Sequence, residues 1–274
     1  MYLYEKFYPS GMQYALITGA TSGIGLCYAE QIAERGYNII VVSNQAEQNE
    51  VVAERLRHTY GVEAIAIYAD LTRDDAAERL FAECQQRGIE VEILINNAGM
   101  LLFSQMHNTS PEALRRIVAL HCTTPTLLCR LFGGAMAERG RGHILLMSSI
   151  TAWTPYPTIS HYAATKAYLK NFGESIWWEM RRRGVGVTTV FPSAVDTPLY
   201  NLSDKMRRRL LWWGVMMKPD DVARRGLRAM FKRRRKCLPG VLTTIEAAVC
   251  AALPAWVLRP ILKISAVKRI LEKV

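Results

Sequence analysis

The sequence predicts an α/β fold: one doubly wound parallel sheet followed by a hydrophobic, basic C-terminal extension. Three observations predict it. Short apolar runs alternate with helical stretches of about 10–15 residues, the rhythm of parallel strands joined by crossover helices. Helical stretches close on Gly36, Gly61 and Gly88, as helices ending in a left-handed residue do. A glycine-rich turn follows the first apolar run and opens a helix, the place where such sheets hold a ligand.

The elements follow in order. Residues 14–18 form the first strand and 24–35 the first helix. Residues 38–42 and 47–60 are the second strand and helix, 63–68 and 74–87 the third pair. Residues 92–95 are the fourth strand. Ser110-Pro111 opens a helix with N-cap and N1 chemistry in register. A fifth strand spans 143–147, a long helix 161–183, a sixth strand 185–191, and a last helix runs from Pro219 to about Phe231. The rhythm runs from Tyr14 to about Arg235, so residues 1–236 read as one domain, interrupted after the sixth strand by residues 193–218. Residues 237–274 read as the extension.

The chain has 274 residues, of which 50% are hydrophobic and 22% charged, which excludes wholesale disorder. Six cysteines lie scattered with no C-x-x-C pair, so neither a zinc site nor a disulfide framework is indicated, and a reduced, cytoplasmic setting is expected. No signal peptide and no spanning stretch is read from the sequence. The net charge of +11 is uneven: residues 1–180 hold 14 basic and 18 acidic residues, residues 181–274 hold 21 and 6. Much of the surplus lies in three runs, Arg181–Arg183, Arg207–Arg209 and Lys232–Lys236. The first reads as a helix C-terminus complementing its dipole. The last, ahead of an apolar tail, reads equally as a membrane surface. No nucleic-acid module accompanies the runs, and no nucleic-acid partner is expected.

The first turn carries Thr18, Gly19, Thr21, Ser22, Gly23, Ile24 and Gly25. Glycines there let the backbone approach a pyrophosphate, and the helix N-terminus supplies unpaired N–H groups. The spacing is not that of a P-loop. The fourth strand ends in Asn96-Asn97-Ala98-Gly99, whose amides can bridge strand ends while Ala98 and Gly99 leave room for a ribose. Asp70-Leu71 follows the third strand. Asp70 either accepts from an adenine amino group or caps the next helix. Tyr162 and Lys166 are one turn apart on one helix face. A phenol titrates near 10, roughly, so it serves as an acid or base near neutrality only beside a cation. Lys166 is that cation, and Ser149 can hydrogen-bond the same substrate oxygen.

These motifs together resemble the short-chain dehydrogenase/reductase family: T-G-x-x-x-G-I-G at Thr18–Gly25, N-N-A-G at Asn96–Gly99, Ser149, and Y-x-x-x-K at Tyr162–Lys166. The resemblance covers about residues 12–235 and implies that residues 1–236 are a Rossmann-type NAD(P)-binding catalytic domain, with 193–218 as its substrate lid. It implies that Tyr162 is the general acid/base, that Ser149 orients the carbonyl, and that Lys166 binds ribose and lowers the Tyr162 pKa. It also implies direct hydride transfer with a nicotinamide cofactor and a homo-oligomer. Pro192, Val195 and Thr197, after the sixth strand, fall at the nicotinamide end. Ser193 stands where the family has glycine. His121 stands where the family has a catalytic asparagine that holds a relay water. It either substitutes for that residue or packs as an ordinary helix residue.

The second strand ends in Ser43-Asn44-Gln45, with neither the Asp of NAD-preferring members nor the Arg of NADP-preferring ones. No carboxylate repels a 2′-phosphate, so NADP(H) is favoured and NAD(H) left open. The lid is apolar, with Leu199, Tyr200, Leu210, Leu211, Trp212, Trp213, Met216 and Met217 among its residues, and suits a steroid or a long-chain 3-keto lipid. The leading expectation is therefore a ketone/alcohol oxidoreductase. The alternatives are a cofactor-binding sensor or scaffold without turnover, and a nucleic-acid binder. The tail alternates apolar stretches with Arg259, Lys263, Lys268, Arg269 and Lys273, broken by Pro254 and Pro260. Peripheral membrane contact is expected of it, with packing on the pocket or on a second subunit as the other readings.

Overall fold

The computed structural model describes residues 13–156, 158–197, 208–209 and 216–252. Most of the lid and the tail beyond residue 252 therefore lie outside the described residues.

Seven parallel strands form one sheet in the order β3-β2-β1-β4-β5-β6-β9. They are β1 (Tyr14–Thr18), β2 (Asn38–Ser43), β3 (Ala64–Tyr68), β4 (Val91–Asn96), β5 (Gly142–Met147), β6 (Val185–Val190) and β9 (Lys236–Cys237). The connecting helices are α1 (Gly23–Ala33), α2 (Ala46–Tyr60), α3 (Ala76–Gln86), α4 (Pro111–Val118), α5 (Thr124–Arg139), α6 (Ser160–Arg181) and α7 (Pro219–Phe231). A further helix, α8 (Val241–Ala252), packs on the turn at Ile150–Trp153. Where the sequence reading set both ends of a strand or helix, they match the observed ends to within two residues.

Strand side chains alternate between two faces and build two cores. Ile17, Val41, Ile93 and Ile95 pack on α1, α2 and α7. Leu16, Ile40, Leu94 and Ile144 pack on α3, α5 and α6. With both faces covered, β2, β4, β5 and β6 are buried along their whole length, as the apolar runs require. The strand order reverses between β1 and β4, which opens a crevice at the C-terminal ends of the strands.

Beyond α5 and α8, which the sequence reading did not place, three features were not expected from the sequence. The two-residue β9 adds a seventh strand, pairing Thr189 with Lys236 and Val190 with Cys237. A second small sheet pairs β7 (Ala194–Val195) with β8 (Met216–Met217), so the two ends of the lid are tied together. Between α4 and α5 one π turn spans Ala119–Thr123, and His121 lies in it.

Candidate active site

The crevice is a cleft of about 430 Å³. Of the residues predicted from sequence it is lined by Gly19, Thr21, Ser22, Gly23, Ile24, Ser43, Asn44, Asp70, Leu71, Asn97, Ala98, Gly99, Ser149, Tyr162, Lys166, Pro192, Val195 and Thr197. Thr18, Gly25 and His121 do not line it; they stand behind its wall.

Thr18 is the knot between β1 and β4. Its Oγ1 accepts from the N–H groups of Asn97 and Ala98, both at 3.0 Å, and donates to the Ile95 carbonyl. The Asn97 amide donates in turn to the carbonyls of Thr18 and Gly19, at 3.0 and 3.2 Å. Gly25 lets α1 approach this knot: a Cβ there would fall 2.0 Å from the Gly19 carbonyl oxygen and 2.5 Å from the Asn97 amide nitrogen. No side chain caps α1, so its first-turn N–H groups remain for an anion in the cleft. This cradle of loop, helix N-terminus and N-N-A-G turn fits a dinucleotide.

The adenosine end differs in detail from expectation. Asp70 does not cap a helix. Its Oδ1 accepts from the backbone N–H and hydroxyl of Thr72, at 3.1 and 2.7 Å, and these bonds hold the carboxyl below its ordinary pKa. Ser43 donates its hydrogen to Asn49 Oδ1 at 2.5 Å and accepts the Gln45 N–H, so it is committed to holding its own loop. Asn49 completes that clamp by donating to the Ser43 and Ile67 carbonyls. Sequence reasoning missed Gln45, Thr72, Met100, Arg116 and Leu120 as lining residues. Arg116 and Leu120 stand four apart after the N-N-A-G turn, and that spacing was the available signal.

At the chemical end, Ser149 follows β5, with its Oγ accepting the Thr151 N–H at 3.2 Å. Lys166 is buried in the cleft wall; its Nζ donates to the Met147 carbonyl at 2.9 Å and lies 5.4 Å from the centre of the Tyr162 ring. Burial pushes the Lys166 ammonium down to about 8. Ser148 donates to the Lys166 carbonyl at 2.7 Å, which holds α6 against the end of β5.

His121 is buried, and both its ring nitrogens are bonded. Nε2 is 3.0 Å from the Met100 N–H, and a backbone N–H only donates, so Nε2 accepts. Nδ1 then carries the proton and donates to Thr165 Oγ1 at 2.9 Å. Thr165 passes its own hydrogen to the Tyr162 carbonyl at 2.8 Å. Burial, with Lys166 nearby, holds the imidazole neutral, its pKa well below the usual value. Its ring meets that of Tyr162 edge-on at 5.7 Å. A Cβ on Gly99 would stand 3.1 Å from Nε2, so the turn before Met100 stays open for this bond. His121 thus ties the loop after N-N-A-G to α6.

A parallel sheet with a glycine loop at its crevice and a Ser, Tyr and Lys on one wall defines a dinucleotide-binding oxidoreductase scaffold. The chain belongs to the short chain dehydrogenase family, whose model matches residues 13–208. It is 34% identical to 17-beta-hydroxysteroid dehydrogenase type 3 of Rattus norvegicus over 71% of this chain and 63% of that protein. Similarity to the very-long-chain 3-oxoacyl-CoA reductase of Bos taurus is 28% identity over 89% of this chain and 73% of that one. An inactive hydroxysteroid dehydrogenase-like protein 1 of Rattus norvegicus is 30% identical over 72% of this chain and 60% of its own length. Among solved structures, a short-chain dehydrogenase from Sphingobium yanoikuyae in complex with NADPH superposes with a TM-score of 0.75 at 26% identity, covering 88% of this chain and 96% of that chain. The chain thus spans less than two thirds of the length of the first of these relatives.

Proposed function

We propose that this protein is an NADP(H)-dependent oxidoreductase that interconverts a ketone and a secondary alcohol on a lipophilic substrate. One observation carries the reading: Ser149, Tyr162 and Lys166 line the same cleft as the glycine loop and the N-N-A-G turn. The nicotinamide, when bound, supplies or takes up the hydride. Tyr162 Oη exchanges a proton with the substrate oxygen. The Lys166 ammonium favours the phenolate form and holds the ribose hydroxyls. Ser149 donates its free hydrogen to the substrate oxygen, because its acceptor side is already used by Thr151. His121 carries no proton in this scheme; it fixes the backbone beside Tyr162.

The preference for NADP(H) rests on the end of β2, where Ser43, Asn44 and Gln45 line the cleft and none of them is a carboxylate. The NADPH complex of the Sphingobium relative supports the same choice. The substrate class draws support from the apolar lid residues in the sequence and from the steroid and 3-oxoacyl-CoA relatives. A homo-oligomer in the cytoplasm, peripheral to a membrane, fits these readings.

The test is turnover of NADPH and NADH with steroid, 3-ketoacyl and 3-ketosphinganine substrates. Turnover of at least one with a preference for NADPH is expected. The relative described as inactive favours one second reading, a cofactor-binding scaffold. Tight NADPH binding with no turnover across the panel would select it.

A further inference from the structure

We infer that two of the basic runs form one docking surface for an anionic lipid bilayer, at the end of the sheet opposite the cleft. The sequence separates these runs by about fifty residues; the fold joins them. α6 ends at Arg181, and Arg182 and Arg183 lead from it into β6. Lys232–Arg235 leads from α7 into β9, which lies parallel beside β6. Both runs therefore enter the sheet at the N-terminal edge of its strands, whereas the cleft is at the C-terminal edge.

Trp177 holds the runs together. Its indole N–H donates to the Arg233 carbonyl at 3.4 Å. The Arg181 guanidinium stands 4.6 Å over its ring and that of Arg235 5.6 Å away. Trp178 packs edge-on against Trp177 at 4.7 Å and is 57% exposed. Arg182, Arg183, Lys232 and Arg234 are exposed, and none of them makes an ion pair among the described residues. Lys236 is paired with Glu174 at 2.6 Å, and Glu179 is the exposed carboxylate on the last turns of α6. Arg233 holds a left-handed φ of +52° after α7, a position that glycine fills at less cost.

The chemistry of this surface favours a bilayer. A helix end and a turn tip present cations on a corner, which a plane of headgroups can meet. An exposed indole beside them suits the depth of the headgroups, and each basic residue adds roughly 1 kcal/mol at an anionic surface. A nucleic-acid strand would use the same cations and stack on Trp178, so it is the rival outcome. The surface lies away from the cleft, so docking is separable from catalysis.

The test is flotation of the full chain with phosphatidylcholine vesicles, with and without phosphatidylserine, at low and high salt. Binding should require phosphatidylserine and weaken with salt. The variant R182Q/R183Q/K232Q/R234Q should lose about a hundredfold or more in vesicle partition, from the same contribution per basic residue, while cofactor binding stays unchanged. Trp178→Ala should lose less, at every salt concentration. If the quadruple variant unfolds, the pairs R182Q/R183Q and K232Q/R234Q are measured separately, each with a loss of at least about tenfold expected. Wild-type binding that survives these changes, no flotation at low salt, or stronger binding to an oligonucleotide than to the anionic vesicles overturns the inference.

Discussion

Replacing His121 with alanine severs the tie between the Met100 loop and α6. Two bonds go, one at 3.0 Å to the Met100 N–H and one at 2.9 Å to Thr165 Oγ1. The half-buried Met100 N–H loses its acceptor, which costs about 1–3 kcal/mol. The imidazole is buried, so its removal also leaves a cavity, and the total comes to about 3 kcal/mol. His121→Asn keeps a side-chain oxygen that can accept the Met100 N–H but is too short to span to Thr165, and should cost about half as much. The assay is urea unfolding of the three proteins near pH 8, with kcat/KM measured on the same samples. Alanine should lower both stability and turnover, and asparagine should keep turnover within about tenfold of wild type. The reasoning is refuted if His121→Ala unfolds within about 0.5 kcal/mol of wild type. It is also refuted if His121→Asn loses turnover while stability and cofactor binding stay intact, since that is the signature of a proton carrier. Nitrogen NMR should in addition find His121 neutral and protonated on Nδ1.

Asn44→Arg should tighten NADPH relative to NADH by about tenfold or more, by adding a charge-assisted partner at the end of β2; an unchanged ratio of specificity constants would show that residue 44 does not face the 2′-phosphate. Burial holds Lys166 down to about 8, so kcat/KM for ketone reduction should fall above that pH as the Lys166–Tyr162 pair loses a proton, with an apparent pKa belonging to the pair; a profile flat to about pH 10 contradicts this. Burial with Arg233 nearby lowers His143 to about 4. The unfolded chain takes up that proton near 6.5, so this stability is fully present above about 6.5 and is lost as pH falls toward 4, by roughly 3 kcal/mol. His143→Gln should flatten the fall in urea midpoint over that window, and an unchanged slope would count against it.

The sheet was legible because its signals are local: an apolar run, a helix period and a closing glycine each span a few residues. β9 escaped because two residues carry no period, and Lys236–Cys237 pairs only because β6 is already there. The lining of the cleft was legible where a motif fixes both position and role, as at Gly19, Ala98 and Tyr162. It failed where a role depends on distant partners. Thr18 belongs to the family motif, yet its hydroxyl is spent on Ile95, Asn97 and Ala98. Ser43 is spent on Asn49, six residues on. The alternatives left open at His121 turn on Thr165, 44 residues away, and on the Met100 backbone. The basic runs show the same limit. Arg181–Arg183 does close a helix, as read, but the company of Lys232–Arg235 around Trp177 is a tertiary fact.

The most direct test of the account is Tyr162→Phe, which removes one oxygen and leaves the ring against His121. With a ketone that the wild type reduces, turnover should fall by at least about a hundredfold, the range expected for loss of a general acid. NADPH affinity, measured by fluorescence titration, should stay within about twofold. Retention of more than a few per cent of wild-type turnover, at unchanged cofactor affinity, would contradict the assignment of Tyr162 as the proton donor.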